Sequence, residues 1–239
     1  MKRAIKFYNL ISCGNSFFIV DDLKSLNQLF SREINNQADG VIVLTNSLTA
    51  DAHFTIYNKD KSRAKICGNG LACAAFYLKK IRKIDKEIYT FLTDNGYYNV
   101  KISDFVEVNF PLPSFIYSKN DSCLINAGNL HYIDLVNSFS TDKMIKMNEY
   151  FDDKINIHQV KKIDETHFKY ISLESGVGFT KSCISGAVSI YFFLKNEYGI
   201  SGNIFLIASG GILQIEEKDN MIVVRTEVDI VYQGIIYES

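Results

Sequence analysis

Two cysteines stand in matching local settings. Cys67 opens Cys-Gly-Asn-Gly and Cys183 opens Cys-Ile-Ser-Gly, so each begins a Cys-x-x-Gly just before a run with helical spacing, about half the chain length apart. A thiol at a helix start lies against the positive end of the macrodipole and beside N–H groups with no intrahelical partner, which lowers its pKa from ~8.5 toward neutrality. It becomes a usable base. The N–H groups of Gly68, Asn69, Ile184 and Ser185 would be donors for a carboxylate held between two helix starts. An amino acid bound so has one sulfur on each side of its α-carbon. Inverting a stereocentre requires that arrangement: one face loses the α-proton and the other receives one, so one sulfur starts as thiolate, the other as thiol, and the two titrate as a coupled set.

Spacing alone leaves other readings open. Both cysteines could be small buried hydrophobes, as most intracellular cysteines are. A hydrolase would use one thiol as nucleophile beside a dedicated histidine base, and a binding protein would keep the carboxylate site without chemistry. Cys67 and Cys73 lack the close Cys or His pairs of a structural zinc site, and no Gly-Lys-Ser/Thr follows Gly68-Asn69-Gly70 to make a phosphate loop. No metal and no cofactor are expected. Cys13, Cys73 and Cys123 are expected to be structural, and His53, His158 and His167 to be ordinary core or surface histidines.

The elements that must position these groups follow from the pattern of apolar residues. Strands are expected at Ile5–Tyr8, Phe17–Val20, Val41–Thr45 and Phe54–Tyr57, then at Tyr89–Leu92 and Tyr97–Ile102 around an Asn95-Gly96 hairpin signal. Helices are expected at Asp22–Ile34 and Asn69–Ile84. The second half repeats the theme, with strands near His131–Val136, Ile155–Ile163, Phe168–Leu173, Ile204–Ile207, Leu213–Glu216 and Met221–Arg225, and a helix at Ser185–Tyr198 stopped by Gly199. The only two prolines, Pro111 and Pro113, break the chain near its midpoint. The expected domains are therefore 1–112, joined by the last strand at about 228–239, and 113–227. One thiol per half suggests a duplicated domain with the two sulfurs meeting at a cleft.

Composition limits the function classes. Hydrophobic residues make up 47% and charged residues 22% of 239, so the chain folds as an ordinary globular protein. The net charge of −1 gives no basic excess for phosphates or anionic lipid. Nucleic acid and membrane are not expected partners. The start of the chain lacks the unbroken apolar run of a signal peptide, five cysteines are an odd number for a secreted disulfide framework, and the expected location is cytoplasmic.

The wording of several segments adds to this. Gly14–Asp22 (GNSFFIVDD), Gln37–Leu44 (QADGVIVL), Tyr57–Cys73 (YNKDKSRAKICGNGLAC), Gly128–His131 (GNLH), Glu174–Ala187 (ESGVGFTKSCISGA) and Ser209–Val224 (SGGILQIEEKDNMIVV) occur in order along the chain. Together they resemble the diaminopimelate epimerase family of pyridoxal-phosphate-independent amino-acid racemases and epimerases. The resemblance implies an α+β fold of two pseudo-symmetric domains, each a mixed barrel-like sheet around a central helix, with the active site between them. It implies Cys67 and Cys183 as the acid/base pair, with Gly68, Asn69, Ile184 and Ser185 at the α-carboxylate. Asn15, Asn58, Asn129 and Asn156 fall on the family's substrate-contacting asparagines, and His131 and Glu174 on its polar helpers near the thiols. The implied partner is a small amino-acid substrate, with a homodimer left open.

The departures bear on the substrate. Where the family carries Glu-Arg, with an arginine that reads the distal carboxylate through paired hydrogen bonds, this chain carries Glu174-Ser175. Ile184 replaces a glycine, Leu130 the proline of GNPH and Ser16 the aspartate of GNDF. The expected activity is inversion of an amino-acid α-carbon by two cysteines without cofactor. Its substrate would be diaminopimelate or another polar amino acid; a basic or imidazole-bearing one is the alternative.

Overall fold

The computed structural model describes residues 4–152 and 154–237. Its two compact units are Met1–Val108 with Glu227–Ser239, and Asn109–Thr226.

In the first unit, β1 (Ala4–Ser12) and β2 (Asn15–Val20) form a hairpin across Cys13-Gly14, both with positive φ, 44° and 81°. That is the backbone sense that matches strand twist in a two-residue turn. Asp22 then caps α1 (Leu23–Ser31) by accepting from the N–H of Ser25 at 2.7 Å. α1 is the crossover that brings β3 (Gly40–Thr45) parallel to β2. β4 (Ala52–Asn58) runs antiparallel to β3, and the two-residue β5 (Arg63–Ala64) antiparallel to β4. The long helix α2 (Gly68–Lys80) follows and is again a crossover, leading to β6 (Ile88–Thr93) parallel to β4. β7 (Gly96–Ile102) closes a hairpin with β6 where Asn95-Gly96 signals one, and β8 (Val106–Pro111) comes next. The last strand of the chain, β18 (Val228–Tyr237), pairs antiparallel with β1.

α2 explains the shape of this unit. Ten of its residues, from Gly68 to Leu78, are buried around the whole helix, the mark of a helix enclosed by its sheet rather than laid on it. It packs against β1, β2, β3, β4, β7 and β18. The other face of the sheet is covered by α1, whose Leu26 and Leu29 join Ile5, Phe7, Phe18 and Val20 in a second cluster.

The second unit begins with β9 (Ser114–Lys119), antiparallel to β10 (Ser122–Asn126), which pairs antiparallel with β11 (Leu130–Leu135). α3 (Thr141–Tyr150), capped by the Ser140 hydroxyl, crosses over to β12 (Asn156–Lys162), parallel to β11. β13 (His167–Glu174) and the short β14 (Gly178–Thr180) continue antiparallel. α4 (Ile184–Tyr198) is the second enclosed helix, ended by Gly199 at φ 67°. It leads to β15 (Ile204–Ala208), parallel to β13, and then to the antiparallel β16 (Gly211–Lys218) and β17 (Met221–Thr226). Met144 of α3 packs on Ile155, Ile157 and Leu173 across the face turned away from α4.

Mixed sheets with few helices make the protein α+β. α3, β8, β9, β10 and the two short strands β5 and β14 were not expected from the apolar pattern. α3 has one fully buried residue, Met144, too few to write a helical period into the sequence. α2 ends at Lys80, not at Ile84, and α1 at Ser31, with a separate 3₁₀ turn at Ile34–Gln37. Pro111 is the last residue of β8, where a strand end tolerates the missing donor. No helix among the described residues is long and apolar enough to cross a membrane.

Candidate active site

Each enclosed helix starts on a cysteine. Cys67 has φ −143° and ψ 113°, and its sulfur accepts from the N–H of Gly70 at 3.4 Å. Cys183 has φ −138° and ψ 110°, and its sulfur accepts from the N–H of Gly186 at 3.3 Å. Both are N-caps in which a thiol takes the place usually held by a serine or aspartate oxygen. The glycines belong to the motif for a packing reason: a β-carbon on Gly70 would stand 3.1 Å from Phe54 and 3.2 Å from Ile42, and one on Gly186 would collide with His158.

Around Cys67, Asn69 is buried in the first turn of α2, and its Oδ1 accepts from the Ser12 hydroxyl at 3.4 Å. Ser12 is the hairpin partner of Asn15, itself buried, so the turn after β1 delivers Asn15 to the start of α2. Gly68 is buried in the same first turn. Asn58 ends β4 and donates its amide to Ser62 within its own turn at 3.1 Å, which is the ordinary work of a turn asparagine. Cys73 lies nearly two turns further along α2 than Cys67 and is fully buried; burial and then the charge of Cys67 push its thiol up. Cys123 is pushed up to about 12, first by burial and then by Glu197. Neither is a reactive thiol.

The second unit gathers more. Asn156 starts β12 with its amide donating to the Leu130 carbonyl at 3.1 Å and its Oδ1 accepting from the N–H of Ser175 at 3.1 Å. It thereby ties the Asn129-Leu130-His131 segment to Glu174-Ser175. Glu174, half-buried at the end of β13, accepts from the Thr180 hydroxyl and reaches the thiol of Cys183. The Ser185 hydroxyl is 3.6 Å from the same sulfur, and the N–H of Cys183 donates to the Tyr170 hydroxyl at 3.2 Å. Ile184 is buried against the interior.

One expectation is corrected here. Cys183 is not lowered toward neutrality. Its thiol is pushed well up, first by burial and then by the Glu174 carboxylate, against smaller lowering by Ser185 and by the N–H of Gly186. With a relative exposure of 3%, desolvation of a thiolate outweighs the helix start. Cys183 rests as a thiol.

His158 and Ser172, outside the expected site, are joined to His131 by hydrogen bonds. Nitrogen atoms of His131 and His158 and the sulfur of Cys183 lie within 4.8 Å of one another, all buried. Nδ1 of His131 is 2.9 Å from Nε2 of His158, the rings stacked at 28°, and Nδ1 of His158 is 2.8 Å from the Ser172 hydroxyl. By type these donors suit a soft divalent cation, yet the facing imidazole nitrogens are already bonded to each other. Burial holds both imidazoles neutral: His158 falls to about 3, and His131 lies well below its ordinary value through burial and then His158. The strand period could have found His158, because it shares a face of β12 with Asn156.

The chain is an isomerase of the racemase and epimerase class, by its likeness to the known proteins that follow. A family model described as diaminopimelate epimerase matches residues 7–110. The diaminopimelate epimerase of Campylobacter jejuni subsp. jejuni serotype O:6 is 30% identical over 204 residues, covering 79% of this chain and 81% of its own length. That of Methanococcus aeolicus is 23% identical over 98% of this chain and 99% of its own. Among solved structures, a hydroxyproline epimerase from Agrobacterium vitis with bound trans-4-hydroxy-L-proline superposes with a TM-score of 0.73 at 11% identity, over 99% of this chain and 94% of that one. The chain belongs to the diaminopimelate epimerase family.

Proposed function

We propose that this protein inverts the α-carbon of a free amino acid by moving a proton between two cysteines, without a cofactor. The observation that carries the reading is the repeated cap: Cys67 and Cys183 have the same backbone conformation within a few degrees and the same sulfur-to-amide bond to the residue three positions on. In one direction a thiolate removes the α-proton, the electron pair is held on the α-carbon and its carboxylate, and the other thiol delivers its proton to the opposite face. The thiolate and thiol have then exchanged roles. The N–H groups of Gly68, Asn69, Ile184 and Ser185 are read as holding the α-carboxylate, with Asn15, Asn129 and Asn156 orienting the rest. His131 and Glu174 are read as polar helpers of the thiols. Asn58 keeps its reading as a substrate contact through its exposed turn. Cys183 is read as the thiol that donates first, since burial and Glu174 keep it protonated.

We read the two units as versions of one domain, with 1–112 and the last strand forming one and 113–227 the other. Supporting this, from β1 in the first unit and from β10 in the second, both run strand, strand, helix, strand, strand, short strand, enclosed helix and three strands, and the strand beside the first of these is β18 in one and β9 in the other; each has one crossover over the small helix and one over the enclosed helix.

Diaminopimelate is the substrate that family membership favours. The specific observation for a second reading is Ser175, whose N–H is bonded to Asn156 and whose short side chain cannot grip a distal carboxylate as a guanidinium does. A basic or imidazole-bearing amino acid is that alternative. The test is incubation with diaminopimelate and a panel of L-amino acids in D2O, followed by mass and chiral analysis. Deuterium at the α-carbon together with the opposite enantiomer is expected for at least one of them. Retention of configuration and of the α-proton for all would overturn the reading.

A further inference from the structure

Neither imidazole of the buried pair carries a charge, so each has one N–H to place, and the three polar atoms behind His131 decide where. Among the described residues the Ser172 hydroxyl has one hydrogen-bond partner, Nδ1 of His158, and Nε2 of His131 has none. Two polarities satisfy the distances. In one, Ser172 donates to Nδ1 of His158, Nε2–H of His158 donates to Nδ1 of His131, and His131 keeps its hydrogen on Nε2. In the other every bond is reversed: the hydroxyl accepts, so its own hydrogen has no acceptor, and Nε2 of His131 is bare. The first leaves one group of the chain unsatisfied and the second leaves two. Buried polar groups are costly to leave unmade, so the first is favoured.

We propose that His158, backed by Ser172, is a positioning residue that locks His131 in the tautomer carrying its hydrogen on Nε2, so that His131 offers the site a hydrogen-bond donor and not a base. The one unsatisfied nitrogen is then the group left for an anionic sulfur or carboxylate oxygen. That His131 serves the reaction rests on the function proposed above; the lock itself does not. The packing agrees with a fixed ring: His158 lies against Gly186, where no β-carbon would fit, and its face meets the ring of His131. This role also explains a fully buried imidazole between Asn156 and the fully buried Val160 on one face of β12.

The experiment is nitrogen NMR on protein labelled with 15N-histidine, with His131→Asn and His158→Asn used only to assign signals, because bare and protonated imidazole nitrogens resonate far apart. In the wild type, hydrogen on Nε2 of both rings is expected, and hydrogen on Nδ1 of His131 would overturn the lock. Ser172→Ala removes the bias between the polarities, so His131 should show a mixture, with kcat for α-deuterium exchange down on the order of tenfold and KM little changed. An unaltered tautomer in a folded Ser172→Ala protein would overturn Ser172's part in the lock. Exchange on an amino acid with Nδ1–H on His131 refutes the lock and leaves the proposed reaction standing. Nε2–H with no exchange on any amino acid refutes the reaction and leaves the lock standing.

Discussion

A β-carbon on Gly186 would stand 2.4 Å from Cε1 and 2.6 Å from Nε2 of His158. A strand residue thus fills the space that a side chain in the first turn of α4 would need, and the helix start and the buried imidazole pair cannot shift independently. Alanine in place of a helical glycine ordinarily stabilises by ~0.5–1 kcal/mol. Here the ring must move in a packed interior, so Gly186→Ala is expected to destabilise by about 1–3 kcal/mol. Urea midpoints at constant m decide it. A Gly186→Ala protein at least as stable as wild type would mean that His158 is not held there. With His158→Ala as background the same substitution should lose most of its cost, since the two sites are in contact.

Cys67→Ser and Cys183→Ser are each expected to lower α-proton exchange with inversion by about 10²–10⁴-fold, the range that a positioned acid or base contributes. A serine hydroxyl still accepts from the capping amide, so the helix starts survive and the loss is chemical. Near wild-type turnover in either variant would sink the two-cysteine reading, and a loss confined to one would favour a nucleophilic thiol.

Glu174→Gln removes a carboxylate that holds the Cys183 thiol up. The Cys183 thiol should then titrate lower than in the wild type, though still above the ordinary value because burial is the larger cause. Alkylation of Cys183 against pH, read by peptide mass, measures this. An unchanged or higher midpoint would show that Glu174 does not face the sulfur.

The imidazole pair also sets a pH dependence. Both folded-state values are depressed, that of His158 to about 3, whereas an unfolded histidine titrates near ~6.5. Below that value the unfolded chain binds protons that the folded chain refuses, so stability is full above ~6.5 and falls as the pH drops. At pH ~5 the loss from His158 is about 2 kcal/mol. Denaturation at pH ~7.5 and ~5 should show at least this difference, and His158→Asn should remove the share that His158 contributes. Equal pH dependence in the two proteins would argue that His158 is protonated in the fold.

Much of the fold was legible because the enclosed helices and the strands against them are strongly apolar. Asn95-Gly96 and Gly199 announced their turns through backbone requirements that other residues meet at a cost. What stayed hidden did so for physical reasons. α3 lies on the surface with one fully buried side chain, so its sequence carries no period. Ser114–Lys119 of β9 is almost entirely exposed, so no apolar alternation marks it. At the candidate site, the places of the two cysteines at helix starts were readable from the Cys-x-x-Gly spacing. The raised thiol of Cys183 was not, because burial is a tertiary property that no local motif records. His158 was read as an ordinary core or surface histidine because its partners, Ser172 and His131, lie on strands that only the folded chain brings beside it.

Ser175 carries the question of substrate. Its N–H is bonded to Asn156 at 3.1 Å, so the backbone after Glu174 is fixed whatever side chain stands there, and the residue is half-buried. An arginine at this position would add a charge-assisted pair to a distal carboxylate, worth ~1.5–3 kcal/mol. Ser175→Arg is therefore expected to raise kcat/KM for diaminopimelate relative to monocarboxylic amino acids by roughly 10-fold to 100-fold. The measurement is kcat/KM for diaminopimelate and for several monocarboxylic amino acids in both proteins. If the wild type already prefers diaminopimelate strongly and Ser175→Arg changes nothing, another cationic group reads the far carboxylate, and the family's usual substrate stands unqualified for this chain. If instead the variant gains diaminopimelate activity while the wild type works best on a monocarboxylic amino acid, the loss of one guanidinium is what moved its specificity.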